Sequence, residues 1–226
     1  MAAPDAPPLI VVVRPTPDQE ATRRPAERVR AQRQASRAAL REAAKLAGCP
    51  DRAFEKSGPR GKPIPTAAGW HWSISHDASL VAAVVSRDRP MGVDLERIEL
   101  RRRLLVERVA DAEERSILGE TEERPLEAFG FARLWTSKEA VLKAEQIGLP
   151  GLKACRVTGI DGPHRTRLEY AGEPRAVVHT RIGTHLVSLC LEEAEPSRVV
   201  WQLPAGVGAS NGVVFPMGPG RPAASP

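Results

Sequence analysis

Apolar and polar positions alternate with two periods along this chain, and the switches between them outline its elements. Leu9 to Val13 is an unbroken β-branched and aliphatic run, which predicts a buried strand. From about Pro25 to Gly48 the period lengthens to that of a helix. Val29, Ser36, Leu40, Ala43 and Ala47 fall on one side, and Gly48 with Pro50 ends the run. Trp72–Ser75, Leu80–Ser86 and Val93–Glu96 are short strand-like runs separated by turn residues, and the pattern predicts a three-stranded antiparallel meander. Arg97 to Leu118 reads as a charged helix and Leu126 to Lys143 as an amphipathic one. The latter is apolar at Phe129, Ala132, Leu134, Trp135, Val141 and Leu142. Strands follow at Arg165–Tyr170, Arg175–His179, His185–Leu191 and Arg198–Gln202. From Pro204 the chain is rich in Gly, Pro and Ala, a composition expected to stay disordered. The fold class expected from this order is α+β.

Composition narrows the picture. With 42% apolar residues among 226 the chain can bury a core, and with 4% aromatics that core must be mainly Val, Leu, Ile and Ala. Its net charge of +5 favours an anionic partner, whether nucleic acid, a polyphosphate or an acidic protein. Three widely spaced cysteines without metal-ligand spacing point to a reducing compartment, and no apolar run reaches membrane-spanning length. The expectation is a cytoplasmic protein without membrane association.

Two segments carry candidate chemistry. In Met91-Gly92-Val93-Asp94-Leu95-Glu96 a strand places Asp94 and Glu96 on one face. In Trp135-Thr136-Ser137-Lys138-Glu139-Ala140-Val141-Leu142-Lys143 a helix places Glu139 and Lys143 one turn apart. If the two meet, three carboxylates and an ammonium converge, a set suited to a hard divalent cation and a phosphate ester. Taken singly, each has an ordinary explanation: a solvated strand edge, and a Glu–Lys helix pair worth about 0.2–0.5 kcal/mol. Arg30, Arg33, Arg37 and Arg41 add a basic stripe to the first long helix.

Together these segments resemble the signature of the 4′-phosphopantetheinyl transferases. Gly92-Val93-Asp94-Leu95-Glu96 is followed about forty residues on by Trp135-Thr136-Ser137-Lys138-Glu139-Ala140, ending at Lys143. Gly61-Lys62-Pro63 and Trp72-Ser73-Ile74-Ser75-His76 precede them in the family's order. The form of the second motif resembles the longer, surfactin-synthetase-activating type. The resemblance implies a pseudo-twofold pair of similar α+β halves with the active site between them, here 1–95 and 96–203, followed by a tail over 204–226.

It further implies transfer of the phosphopantetheine arm of coenzyme A to a carrier-protein serine, dependent on Mg²⁺ or Mn²⁺. Asp94, Glu96 and Glu139 would be the metal ligands, and Lys143 would stabilise developing charge. Glu139 or Glu114 would act as the base, with Glu113 competing for the latter place. Arg37, Lys62, Ser75 and His76 would bind the cofactor. The partners implied are acyl or peptidyl carrier proteins, acting with a monomer and without nucleic acid. Where the family has Ser-His-Ser this chain has Ser75-His76-Asp77, an acid that would weaken a phosphate contact or raise the histidine's pKa. His71, His164, His179 and His185 lack ligand spacing and are expected to be structural. A divalent-metal nuclease and a basic nucleic-acid-binding module remain as alternatives, the latter without an aromatic platform to support it.

Overall fold

The computed structural model describes residues 8–16, 24–51, 53–58, 61–87, 89–192 and 199–205. The tail reading from 206 onward, including the Val213-Val214-Phe215 run within it, lies outside these residues.

Four layers stack in the order helix, sheet, sheet, helix, and the period of two in the strands produces them. In β1 (Leu9–Pro15) and β5 (Leu80–Ser86) alternate residues point to opposite layers. Val12, Val81, Ala83 and Val85 pack under α1 (Pro25–Leu46) with its Ala39, Leu40, Ala43 and Ala44. Val11, Val13, Leu80, Ala82 and Val84 face the other way, onto Val93, Leu95, Val187 and Leu189 of a second sheet. Each such Val or Leu side chain withdrawn from water stabilises the fold by about 1.5–3 kcal/mol before ordering costs. This double burial explains the unbroken apolar runs.

The first sheet also contains β4 (His71–His76) and has the order β11-β1-β5-β4, with β11 (Val199–Gln202) parallel to β1. The second has the order β6-β10-β9-β8-β7, built from β6 (Val93–Arg97), β7 (Cys155–Ile160), β8 (Arg165–Tyr170), β9 (Glu173–Ile182) and β10 (His185–Glu192). Beneath its outer face lies α4 (Ala128–Ala144), with Leu134, Val141 and Leu142 wholly buried. A small hairpin of β2 (Lys56–Ser57) and β3 (Lys62–Pro63) stands apart from both sheets.

Three expectations are corrected, and β7 joins the sheet as an unexpected strand. The meander stops at two strands, because β6 leaves β5 and pairs antiparallel with β10. What still ties it to β4 is side-chain bonding: Ser73 Oγ accepts from the Val93 amide at 3.1 Å and Ser75 Oγ donates to Asp94 at 2.8 Å. The charged helix after Arg97 is two short helices, α2 (Arg103–Val109) and α3 (Ala112–Ile117). Asp111 starts the second by accepting the Glu114 amide while Glu114 accepts the Asp111 amide. Strand β7, unforeseen, carries the alternation Cys155, Val157, Gly159 toward the core. Val29, expected on the core face of α1, is 45% exposed. The remaining helix and strand readings hold to within a few residues.

Candidate active site

β4 is an edge of the first sheet and β6 an edge of the second, and the candidate site forms where these edges meet beside α4. Gly92 makes the approach possible. A Cβ there would lie 1.7 Å from the Ala140 carbonyl oxygen and 2.6 Å from the Ala144 nitrogen, so no other residue fits without moving α4. With Val93 and Leu95 turned into the core between the sheets, Asp94 and Glu96 turn toward the helix.

Asp94 is 4% exposed. Its Oδ1 accepts from Lys143 Nζ at 2.7 Å and from Ser75 Oγ at 2.8 Å, while Oδ2 is buried without a partner. Lys143 Nζ also donates to the Val93 carbonyl at 3.2 Å. Burial raises the Glu139 pKa, Asp94 adds to the rise, and Lys143 offsets part of it. Glu96 is raised in the same way, first by burial and then by Asp94. Arg101 at 3.4 Å and a hydrogen bond from Trp135 work in the opposite direction. Trp135 is itself stacked on Phe131 at 6.2 Å. Asp94 is therefore the common neighbour of the set, bonded to Lys143 and within electrostatic reach of Glu96 and Glu139.

Among the described residues no group of three or more His, Cys, Asp or Glu side chains is placed to hold a metal ion by itself. The set nonetheless fits Mg²⁺. A buried carboxylate oxygen lacks a partner, two neighbouring carboxyls are held toward protonation first by burial and then by Asp94, and all donors are hard oxygens. Mg²⁺ commonly takes one or two carboxylates and fills its other positions with water and substrate phosphate, so a closed protein cage is not required.

A cleft of about 820 Å³ lies between α1 and the β2–β3 hairpin, and His76 in its lining is within electrostatic reach of Lys143. Arg33, Arg37 and Arg41 line it from the helix, Lys56 from the hairpin and His76 from the end of β4. The arginine stripe thus faces a cavity, with Arg37 at its middle. His76 is held below the usual histidine pKa, first by burial and then by Lys143 and Lys56. Asp77 offsets this only in part, so the expected rise does not occur. Its Oδ2 lies 2.7 Å from His185 Nε2, and its Oδ1 accepts the Ser79 and Leu80 amides. Lys62 is exposed on β3, opposite Ser57, and the cleft lining includes Lys56 instead. Ser75 holds Asp94 in place rather than lining the cleft.

Glu114 requires a correction. Its Oε1 accepts from Lys138 Nζ at 2.7 Å and from the Val157 amide at 2.8 Å, and its Oε2 accepts from the Asp111 amide. Both partners of the ion pair are almost fully buried, so Glu114 anchors α3 and β7 to α4 and is not part of the Asp94 group. Glu113 is exposed and pairs with Arg156 at 3.0 Å. Lys138 was the overlooked partner. It occupies the buried face of α4 between Leu134 and Val141, and an ammonium on such a face demands an acid. The signal was available in the Asp111-x-x-Glu114 capping pattern.

With this geometry in view, the comparisons with known proteins are specific. Residues 90–190 match the family model of the 4′-phosphopantetheinyl transferase superfamily. The match spans Asp94, Glu96, Glu139 and Lys143 and supports an enzyme that transfers phosphopantetheine from coenzyme A. No curated protein matches the chain. The α1 cleft lies outside the matched segment, so the roles of Arg37 and His76 rest on their position.

Proposed function

We propose that this protein is a phosphopantetheinyl transferase of the surfactin-synthetase-activating type, which moves the 4′-phosphopantetheine arm of coenzyme A onto a serine of acyl or peptidyl carrier proteins. The observation that carries this reading is the Asp94–Lys143 pair. One carboxylate oxygen is neutralised by an ammonium and the other is buried without a partner, within the family-matched segment and with that ammonium in electrostatic reach of His76 in a basic cleft. The helix–sheet–sheet–helix order supports a pseudo-twofold relation between the two α+β halves, with the site at their junction.

In this reading the cleft receives the nucleotide end of coenzyme A, with Arg37 and His76 on its phosphates. The pyrophosphate lies at the carboxylate junction, where Asp94, Glu96 and Glu139 would hold Mg²⁺. When bound, the cation neutralises charge on the pyrophosphate oxygens and so favours attack at phosphorus. The carrier serine oxygen forms a bond to the phosphorus bearing the pantetheine. The bond from that phosphorus to the bridging oxygen breaks, and adenosine 3′,5′-bisphosphate leaves with the electron pair. Glu139, whose proton affinity is raised by burial and by Asp94, takes the serine proton. Lys143 stays beside the leaving oxygen as a fixed positive charge.

The test is incubation of the purified protein with coenzyme A, Mg²⁺ and several apo-carriers, followed by intact mass analysis. The expected result is a gain of one phosphopantetheine on at least one carrier, abolished by changing the acceptor serine to alanine. No gain on any carrier, with coenzyme A shown to bind, would remove the transferase reading.

A further inference from the structure

Two groups in the cleft wall have no place in the scheme above. Ser36 is 4% exposed and lines the cleft, and its hydroxyl has no hydrogen-bond partner. A serine inside a helix ordinarily returns its hydroxyl to the carbonyl one turn back, so a buried unpaired one is a cost the fold carries. Lys56 enters the same cleft from the hairpin, with its ammonium 5.9 Å from the Trp72 ring centroid. No ion pair to Lys56 forms among the described residues. Glu55 is the carboxylate in that wall, set against Arg33, Arg37 and Arg41. Lys56 lies within electrostatic reach of both Lys143 and Arg33, so it stands near the Asp94 group's ammonium and the helix stripe alike.

Resting on the reading of this cleft as the coenzyme A site, we propose that Lys56 and Ser36 complete its anion cradle. The Lys56 ammonium grips the pyrophosphate at the junction, and the Ser36 hydroxyl donates to a nucleotide phosphate between Arg33 and Arg37. Four cations facing one cavity with little acidic compensation repel one another until an anion enters. A hydroxyl that gives up no protein bond is free to serve the ligand. Lys56, rather than Lys62 across the hairpin, is the β2–β3 residue that reaches the cofactor.

Calorimetric titration in Mg²⁺ buffer with coenzyme A, dephospho-coenzyme A and inorganic pyrophosphate tests both contacts. Lys56→Met keeps the side-chain stem beside Trp72 and removes the charge. It is expected to raise the Kd of all three ligands alike by about tenfold, with most of the loss restored in Lys56→Arg. Ser36→Ala is expected to weaken coenzyme A by about threefold while the melting temperature stays at or above the parent value, since no protein hydrogen bond is lost. Unchanged affinities in Lys56→Met overturn the Lys56 contact, and a loss confined to coenzyme A overturns its assignment to the pyrophosphate. A lower melting temperature with unchanged affinity in Ser36→Ala returns that hydroxyl to packing. If the parent binds inorganic pyrophosphate but neither cofactor, the anion cradle stands and the cofactor reading fails. If it binds none of the three, both fail.

Discussion

Two lysines five positions apart on α4 each meet a carboxylate at 2.7 Å, and they do opposite things. Lys138 and Glu114 are sealed: side-chain exposure is 1% and 4%, and every carboxylate oxygen has a partner. Lys143 and Asp94 are half open: the lysine is 29% exposed, and Asp94 Oδ2 has no partner. Around the first pair the neighbours are backbone amides and carbonyls. Around the second they are two more carboxyls, both pushed toward protonation. A satisfied pair is a fastener, whereas an unsatisfied one amid like charges is poised for a ligand. Both are lysine–carboxylate pairs at the same distance, so the unfilled valence makes the distinction.

The largest expected effect breaks the sealed pair. Lys138→Ala leaves the Glu114 charge buried beside only backbone donors. It should cost about 3–5 kcal/mol in unfolding free energy, read from urea denaturation. Glu114→Gln should likewise act on stability first, with turnover per folded molecule close to the parent. If it abolished turnover at unchanged stability, the two pairs would have been assigned the wrong way round.

Breaking the open pair should reverse that balance. Asp94→Asn is expected to lower carrier modification by about 10²–10³-fold, as removal of transition-state charge stabilisation does. Its urea midpoint should stay near the parent. Parent-level turnover in a chelator-treated buffer would remove Asp94 from the metal site.

A pH titration of stability sharpens the contrast without mutation. Glu96 and Glu139 have raised pKa values, so the folded state holds protons that the unfolded state releases near the ordinary value of 4.5. Their contribution is fully present below that pH and is lost as pH rises through the raised values. The unfolding midpoint without Mg²⁺ should therefore fall over that window, and saturating Mg²⁺ should flatten the slope. Glu139→Gln should remove part of the slope, while Glu114→Gln should not. Asp77 runs the other way, because its lowered pKa yields stability that is lost as pH falls through the folded value.

The smallest expected effect concerns the cleft. His76→Ala should reduce discrimination between coenzyme A and dephospho-coenzyme A by a few-fold, since one phosphate contact is at stake. An unchanged Kd ratio would make His76 a strand-end residue only.

Much of this was legible in the residues. The apolar run identified β1 as a buried strand, and the i, i+2 and i, i+4 spacings put Asp94 with Glu96 on one strand face and Glu139 with Lys143 on one helix face. These are local facts, because backbone period alone decides which side chains share a face. The meander failed for the complementary reason: pairing is a contest between distant partners, and β10 outcompeted β5 for β6. Glu114 failed likewise. From the chain it is a helix carboxylate three residues after an aspartate, and only the arrival of Lys138 from α4 and the Val157 amide from β7 makes it a fastener. Lys56 and Ser36 carry no spacing signal, since a cavity wall is assembled from segments that meet only in space. The sequence by itself determined which faces were apolar, where α1 and α4 run and which charges travel together along one element. Tertiary structure decided which of those charges are satisfied. That difference depends on whether burial supplies a partner for the last lone pair, and burial is a property of the whole fold.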